Sequence, residues 1–325
     1  MNYKIYKLRF KSAVHFGNKT LASSEHTICA DTLFAALCQE AVKMETLEFL
    51  IEYAKEGQIV LSDTFPYIEQ DINGKKVQEF YVPKPLKLNP SKDNQGDSTI
   101  KKLYKKINYV PLSRLDDFIN SKFTVEELKE LVANLSLNLG TTDVKVSAAV
   151  RGEEETVPYR VGTYRFKENN GLYVIVGFED EDSEYIISEA FNSLQYQGIG
   201  GKKNTGLGRF ELIIEDLPVE LETSLNLVES TETLMLLSCA LPLEDEITTV
   251  INDADNRYTI MKRSGFVASD KYSNTHMRKK DIYVLKAGSC LKHTFKGDIY
   301  DVSAKGNHPV YRYAKPMFME VKCNG

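Results

Sequence analysis

A chain of 325 residues, 42% hydrophobic, 27% charged and 10% aromatic, has the composition of a folded globular protein of about two domains. Disorder, collagen-like repeats and coiled-coil rods are excluded. The net charge of −5 argues on average against a nucleic-acid binder, whose binding domain usually has a strong basic excess.

The charge is unevenly distributed. Residues 101–114 carry five basic side chains and no acid, 257–280 carry seven and one acid, and Gly201–Arg209 adds three with none. The acids gather in 211–246, where there are ten and no Lys or Arg, and in Glu179–Glu184. Such segregation permits a basic groove on an acidic body, although charge runs also simply solvate surface helices. The apolar stretch Leu234–Leu243 is broken by Ser238 and Pro242 and is well short of the ~20 residues of a membrane helix. No apolar signal core follows Met1, so the chain reads as cytoplasmic and not membrane-bound. Cys29, Cys38, Cys239, Cys290 and Cys323 are odd in number and widely spaced, without CxxC or CxH. Neither a disulfide framework nor a zinc site is expected.

In chain order, Tyr6, Leu8 and Phe10 alternate with Lys7 and Arg9 as in a strand. Over 31–43, Leu33, Phe34, Leu37, Cys38, Ala41 and Val42 form a helical stripe that Asp31 can cap. A strand is expected at Gln58–Leu61. Five prolines between Phe65 and Leu112, with polar Asn89–Ser98, predict an irregular, partly mobile insertion. Thr124 and Glu127 form a capping-box pattern opening a helix over 123–133. Val144–Phe166 reads as a hairpin with the charged tip Gly152–Glu155. Leu172–Phe178 suits a buried central strand, Ser183–Tyr196 a helix, and Arg209–Ile214 a strand.

That order is a βαββαβ, ferredoxin-like plan with insertions. Acidic Glu215–Glu232 marks a boundary. Beyond it a helix at Glu244–Asn252 and strands at Leu234–Leu241, Tyr258–Met261, Ile282–Leu285, Ser289–Phe295, Asp298–Val302 and Val310–Val321 give a β-rich α+β unit.

Five glycines fall among the eleven residues Gly198–Gly208, beside Lys202, Lys203, Asn204 and Arg209. Glycine lets backbone approach a ligand closely, and exposed N–H groups with nearby cations suit phosphate. Lys202 is followed by Lys203 rather than Ser or Thr, so this is not a P-loop, and no G-x-G-x-x-G register fits. A plain surface connector is the alternative.

Loop and placement resemble the glycine-rich loop of the RAMP superfamily, the ferredoxin-like RNA-binding proteins of CRISPR systems. Val14–Gly17, Ala30–Leu37, Ser62–Tyr67, Tyr81–Leu86, Lys262–Val267 and His308–Pro316 resemble the Csm subunit four family of type III-A effector complexes. The resemblance runs from near residue 5 to near residue 321. It implies an α+β chain of two ferredoxin-like (RRM-like) domains, 1–216 and 217–325. The first would hold an insertion near 65–140, a thumb hairpin near 142–166 and the glycine loop 198–209. It also implies a non-catalytic cap on the 5′ repeat-derived tag of the guide RNA, contacting the large polymerase-type subunit and the backbone RAMP subunit.

The residues expected to touch RNA are His15 and Gly17, Arg151 and Tyr159 of the hairpin, and Gly200, Gly201, Lys202, Lys203, Asn204, Gly206, Gly208 and Arg209 of the loop. Lys262, Arg263, Ser264 and Phe266, then Tyr311, Arg312 and Tyr313, complete the set; these last mix aromatic and basic groups as single-stranded RNA requires. The alternative is that the Tyr311–Tyr313 alternation merely packs a sheet face. His15 is the candidate general base of a repeat-cleaving ribonuclease, the other reading, but no acid partner is evident in the sequence. Asp31 reads as a helix cap rather than a metal ligand. No catalytic residue, metal or cofactor is assigned.

Overall fold

The computed structural model describes residues 1–18, 20–86, 98–149, 157–226, 233–269 and 271–322. Strand β1 (Asn2–Phe10) leads through β2 (Phe16–Asn18) and β3 (Thr20–Glu25) to helices α1 (Ala30–Lys43) and α2 (Leu47–Glu56). After β4 (Ile59–Leu61), strands β5 (Phe65–Ile72) and β6 (Lys75–Pro83) form a hairpin. Then come α3 (Ser98–Lys106), β7 (Tyr109–Pro111), α4 (Leu115–Ile119) and α5 (Val125–Asn138). The long hairpin β8 (Gly140–Ala149) and β9 (Val157–Phe166) precedes β10 (Gly171–Phe178), α6 (Glu181–Gln197) and β11 (Phe210–Asp216).

The main sheet runs β11-β1-β10-β5-β6-β7, with β4 also pairing β10. Reduced to β11, β1, β10 and β4 with α1 and α6, this is the strand order a βαββαβ plan generates, antiparallel throughout. Every residue of β10 is buried. Each fully buried Leu, Ile or Val is worth about 1.5–3 kcal/mol relative to exposure, so a charge at Val174 or Ile175 would break the sheet.

Both sheet faces are covered. Tyr6, Leu8, Val174 and Val176 pack with α1, α2 and α6; Ile5, Tyr173 and Ile175 join a second cluster containing Phe65, Phe80, Leu128 and the C-terminal Leu221 and Met319. Lys7 therefore does not reach open solvent as simple alternation suggests. It is 1% exposed, paired with Glu69 at 2.6 Å and Glu215 at 2.9 Å, and lies over the Tyr67 ring.

The insertion is more regular than its prolines suggest. Asn73 and Gly74 take φ of 55° and 79° and make the two-residue turn joining Ile72 to Lys75, the conformation an Asn-Gly turn favours in a hairpin. The Asn89–Ser98 stretch lies almost wholly outside the described residues, as does the hairpin tip. Thr124 and Glu127 form the expected capping box of α5. Helix α6 begins earlier than expected because Asp180 caps it, with Ser183 bonding back. Asp31 does not cap α1: Cys29 is the N-cap residue, and Asp31 sits inside the first turn.

Past β11 come α7 (Val219–Leu225), β12 (Thr233–Leu236), α8 (Ile247–Asn252), β13 (Ile260–Arg263), β14 (Ile282–Leu285), β15 (Cys290–Leu291), β16 (Ile299–Asp301), β17 (Tyr311–Tyr313) and β18 (Phe318–Val321). Among the described residues these form a three-stranded sheet β15-β12-β18 and the ladders β13-β14 and β16-β17, in place of one four-stranded sheet. The span expected as one strand over Val310–Val321 divides into β17 and β18, with Pro316, which cannot donate to a ladder, between them. The hydrophobic core crosses the 216/217 boundary: Tyr313 and Ala314 pack in the cluster that holds α1, with Phe34 and Tyr313 ring centroids 5.2 Å apart. Among the described residues no helix is long and apolar enough to cross a membrane.

Candidate nucleic-acid interface

The glycine loop leaves α6 at Gly198 and folds back on itself, with Ile199 N–H donating to Gly208 O at 3.0 Å. It is stitched to the turn after β1: Gly201 N–H donates to His15 O and Gly208 N–H to Ala13 O, both at 2.9 Å. A Cβ at Gly208 would stand 2.1 Å from Ile199 O, and one at Gly201 2.7 Å from His15 Cδ2. These glycines admit protein backbone and the His15 ring rather than a ligand, and these N–H groups are already satisfied. At Gly206 an added Cβ would meet nothing within 4 Å.

His15 is 6% exposed, and its Nδ1 lies 2.6 Å from Gly162 O of β9. A carbonyl only accepts, so Nδ1 carries the hydrogen in this contact. Val14 bridges Tyr164, and Lys202 Nζ sits 5.0 Å from the Tyr159 ring centroid. The hairpin root, the His15 turn and the glycine loop are thus one assembly. Farther out the hairpin is solvated, with Val146 70% exposed.

That assembly walls a groove of about 1330 Å³ whose other side belongs to the C-terminal unit. Eleven of the expected residues line it: His15, Gly17, Gly200, Gly201, Lys202, Lys203, Asn204, Arg263, Ser264, Tyr311 and Arg312. Tyr159 stands beside Lys202 at the rim, whereas Arg151 lies outside the described residues. Gly206, Gly208, Arg209, Lys262 and Phe266 do not line the groove. Gly208 is buried and Arg209 exposed; Lys262 pairs with Asp281 at 2.8 Å; Phe266 is exposed beneath the Arg278 guanidinium.

Two expectations need correcting. Tyr313 is wholly buried, its hydroxyl accepting from Leu61 N–H at 2.9 Å, so it offers no face for stacking. Arg312 is 4% exposed and its Nη1 donates to Asp31 Oδ2 at 2.5 Å. Arg263 clasps the same carboxylate through Nε at 2.8 Å and Nη2 at 2.6 Å. The sheet-packing reading therefore holds for Tyr313, and the two arginines form an ion-paired triad joining α1 to β13 and β17. Burial works to raise the Asp31 carboxyl, but the two guanidiniums outweigh it and hold it below the ordinary carboxylate range.

The sequence singled out other cations only as runs. Lys84, Lys105, Lys279 and Lys286 also line the groove, so that among the described residues eight lysines and arginines face it against Glu25, Asp31 and Asp63. Lys105 belongs to the basic run 101–114 and Lys279 to the run 257–280; Lys84 and Lys286 carried no such signal. Burial lowers the Lys203 ammonium, burial and Lys286 lower Lys84, and burial and Arg312 lower Lys279. A half-buried set of cations, with Lys84 facing Lys286 and Lys279 facing Arg312, favours a polyanion that neutralises it. His26 and Tyr109 add aromatic surface. Among the described residues, no acid of Glu179–Glu184 or of 211–246 lines the groove. Among the described residues, one cluster has the donor atoms for a metal ion, Cys29, Asp63 and Cys239.

Residues 229–321 match the family model of the CRISPR Csm4 C-terminal domain. Over 321 residues the chain is 36% identical to the CRISPR system Cms protein Csm4 of Mycobacterium tuberculosis, covering 98% of both. It is 33% identical over 331 residues to the Csm4 of Streptococcus thermophilus, covering 99% of this chain and 100% of that one. The fold is similar to a crystal structure of a Csm3–Csm4 subcomplex of the type III-A interference complex, with a TM-score of 0.66 at 19% identity over 98% of this chain and 99% of that one. It is also similar to a Csm1–Csm4 cassette bound to pppApA, with a TM-score of 0.59 at 18% identity over 98% of each chain. With relatives above 30% identity along nearly its whole length, this chain belongs to the CRISPR Csm4 family.

Proposed function

We propose that the groove holds the 5′ repeat-derived tag of a guide RNA, and that the chain acts as a non-catalytic cap in a type III-A effector complex. The observation that carries this reading is convergence: His15, the glycine loop, Ser264 and Tyr311, spread over some three hundred residues of sequence, line one cationic groove. Lysines there would take phosphates, and exposed aromatic faces would stack on unpaired bases at about 1–3 kcal/mol per base. Tyr311 is half-buried and suited to that contact.

The hairpin β8-β9 is the thumb in this reading. Its root is fixed to the groove wall through Gly162 and Tyr164, and its solvated outer half is placed to displace nucleotides near the tag–spacer junction. The C-terminal unit is the second, reduced ferredoxin-like domain. Relatives solved with Csm3 and with Csm1 support a bridging role between a backbone subunit and the large subunit. The ribonuclease alternative lacks a partner for His15: among the described residues its ring bonds Gly162 O and no carboxylate.

The test is to express the chain with its complex and extract the bound RNA. The reading predicts a discrete guide-length RNA that is depleted when Lys202, Lys203 and Lys279 are changed to Gln with assembly intact. Undiminished RNA in that variant overturns it.

A further inference from the structure

We propose that Cys29, Asp63 and Cys239 form a zinc site in the floor of the groove, closing the junction between the two units. Their Sγ, Oδ and Sγ atoms all lie within 4.8 Å of one another. In a tetrahedral site, Zn–S of about 2.3 Å and Zn–O of about 2.0 Å place such ligand atoms roughly 3.5–3.8 Å apart, so closure needs movement of about 1 Å. The sequence hid this because the three residues stand 34 and 176 positions apart and the chain brings them together only at the unit boundary.

Three features favour an ion over a chance meeting of core side chains. Asp63 Oδ1 is fixed by two backbone donors, Ala30 N–H at 2.7 Å and Cys239 N–H at 3.0 Å, which orients the carboxylate and leaves Oδ2 for a ligand; ligating carboxylates are commonly held this way. Cys29 occupies the N-cap of α1 yet its side chain makes no capping hydrogen bond, and its Sγ lies within 4.8 Å of both the Asp63 carboxylate and the Cys239 sulfur. Cys29 and Asp63 both line the groove, which provides an entry path and an open fourth position.

Charge and softness choose the metal. Two sulfurs exclude Mg²⁺ and Ca²⁺, which take oxygen ligands, and suit Zn²⁺. Binding releases one proton from each thiol. The resulting two thiolates and carboxylate, with Asp31 beside them, are balanced by Zn²⁺ together with Arg263 and Arg312. Three protein ligands and one open position are the arrangement of zinc sites that bind an exchangeable water or anion. The inference does not depend on the RNA reading.

The test uses the full chain purified under reducing conditions, with zinc measured by elemental analysis and Co²⁺ used as a spectroscopic substitute. The expected result is one zinc per chain, thiolate-to-cobalt charge-transfer bands, and an affinity at least 100-fold weaker in Cys29→Ser. Cys38→Ser, outside the cluster, should leave all three unchanged. Cys29 is partly exposed, so its variant should fold, and Asp63→Asn gives a second ligand change. Substoichiometric zinc, cobalt bands that persist in Cys29→Ser, or a Cys29–Cys239 disulfide forming in place of metal uptake would overturn the assignment.

Discussion

Changing Asp31 to Ala removes the carboxylate that neutralises two guanidiniums at the junction of the two units. Arg312 is almost fully buried and loses its Nη1 partner, and Arg263 loses both of its bonds to Asp31. Removing one member of a buried ion pair usually costs about 3–5 kcal/mol, because the partner charge stays desolvated. At roughly 2 °C per kcal/mol for a chain of this size, the melting temperature should fall by about 6–10 °C. Differential scanning calorimetry measures this directly. Adding Arg312→Met should recover part of the loss, since an apolar side chain of similar length removes the stranded charge. A drop below about 2 °C, or a double variant worse than the sum of the singles, would refute the argument. RNA affinity gives a second readout. If Arg312 were itself a phosphate ligand held back by Asp31, its release would tighten RNA binding; the triad reading predicts no gain.

Changing Lys202, Lys203 and Lys279 to Gln should lower the salt slope of single-stranded RNA binding by about 0.7 per lost phosphate contact, or about 2 in total. Anisotropy titrations across a salt series check this, and an unchanged slope contradicts the groove assignment. Gly208→Ala should disorganise the loop, because its Cβ would lie 2.1 Å from Ile199 O. Gly206→Ala meets open space and should cost only about 1–2 kcal/mol for its positive φ. Limited proteolysis that finds the two equally sensitive would refute the distinction. His15→Ala should leave guide length and target cleavage by the assembled complex within about twofold, whereas a loss of about 10²-fold with assembly intact would indicate a general base.

The first sheet was legible because its signals are local. Alternation in β1, the apolar run of β10, and the helical stripes of α1 and α6 dictate a βαββαβ order without reference to anything distant. What hides a structure from its sequence is tertiary contact. Lys7 alternates like a solvent-facing residue, but the β5-β6 hairpin covers that face, and Glu69 and Glu215 arrive from sixty-two and two hundred and eight residues away to pair with it. Asp31 carries the signature of a cap, yet two arginines from the far unit claim it. Tyr311, Arg312 and Tyr313 look alike in the sequence; alternation turns only Arg312 to the opposite face, and depth along the strand separates the two tyrosines, with Tyr313 in the core and Tyr311 at the groove. The glycine loop was found by composition, but the purpose of individual glycines was not, because the atoms that Gly200, Gly201 and Gly208 accommodate belong to His15, Phe16 and Ile199.

The groove is tested most directly by photocrosslinking a 4-thiouridine-labelled tag RNA to the assembled complex and mapping the attached residues by mass spectrometry. The account predicts adducts on the peptides of the groove wall, those holding Lys202 and Lys203, His26, and Tyr311. Adducts confined to the outward face of α6, where Tyr185 and Tyr196 are exposed, with none on those groove peptides, would contradict it.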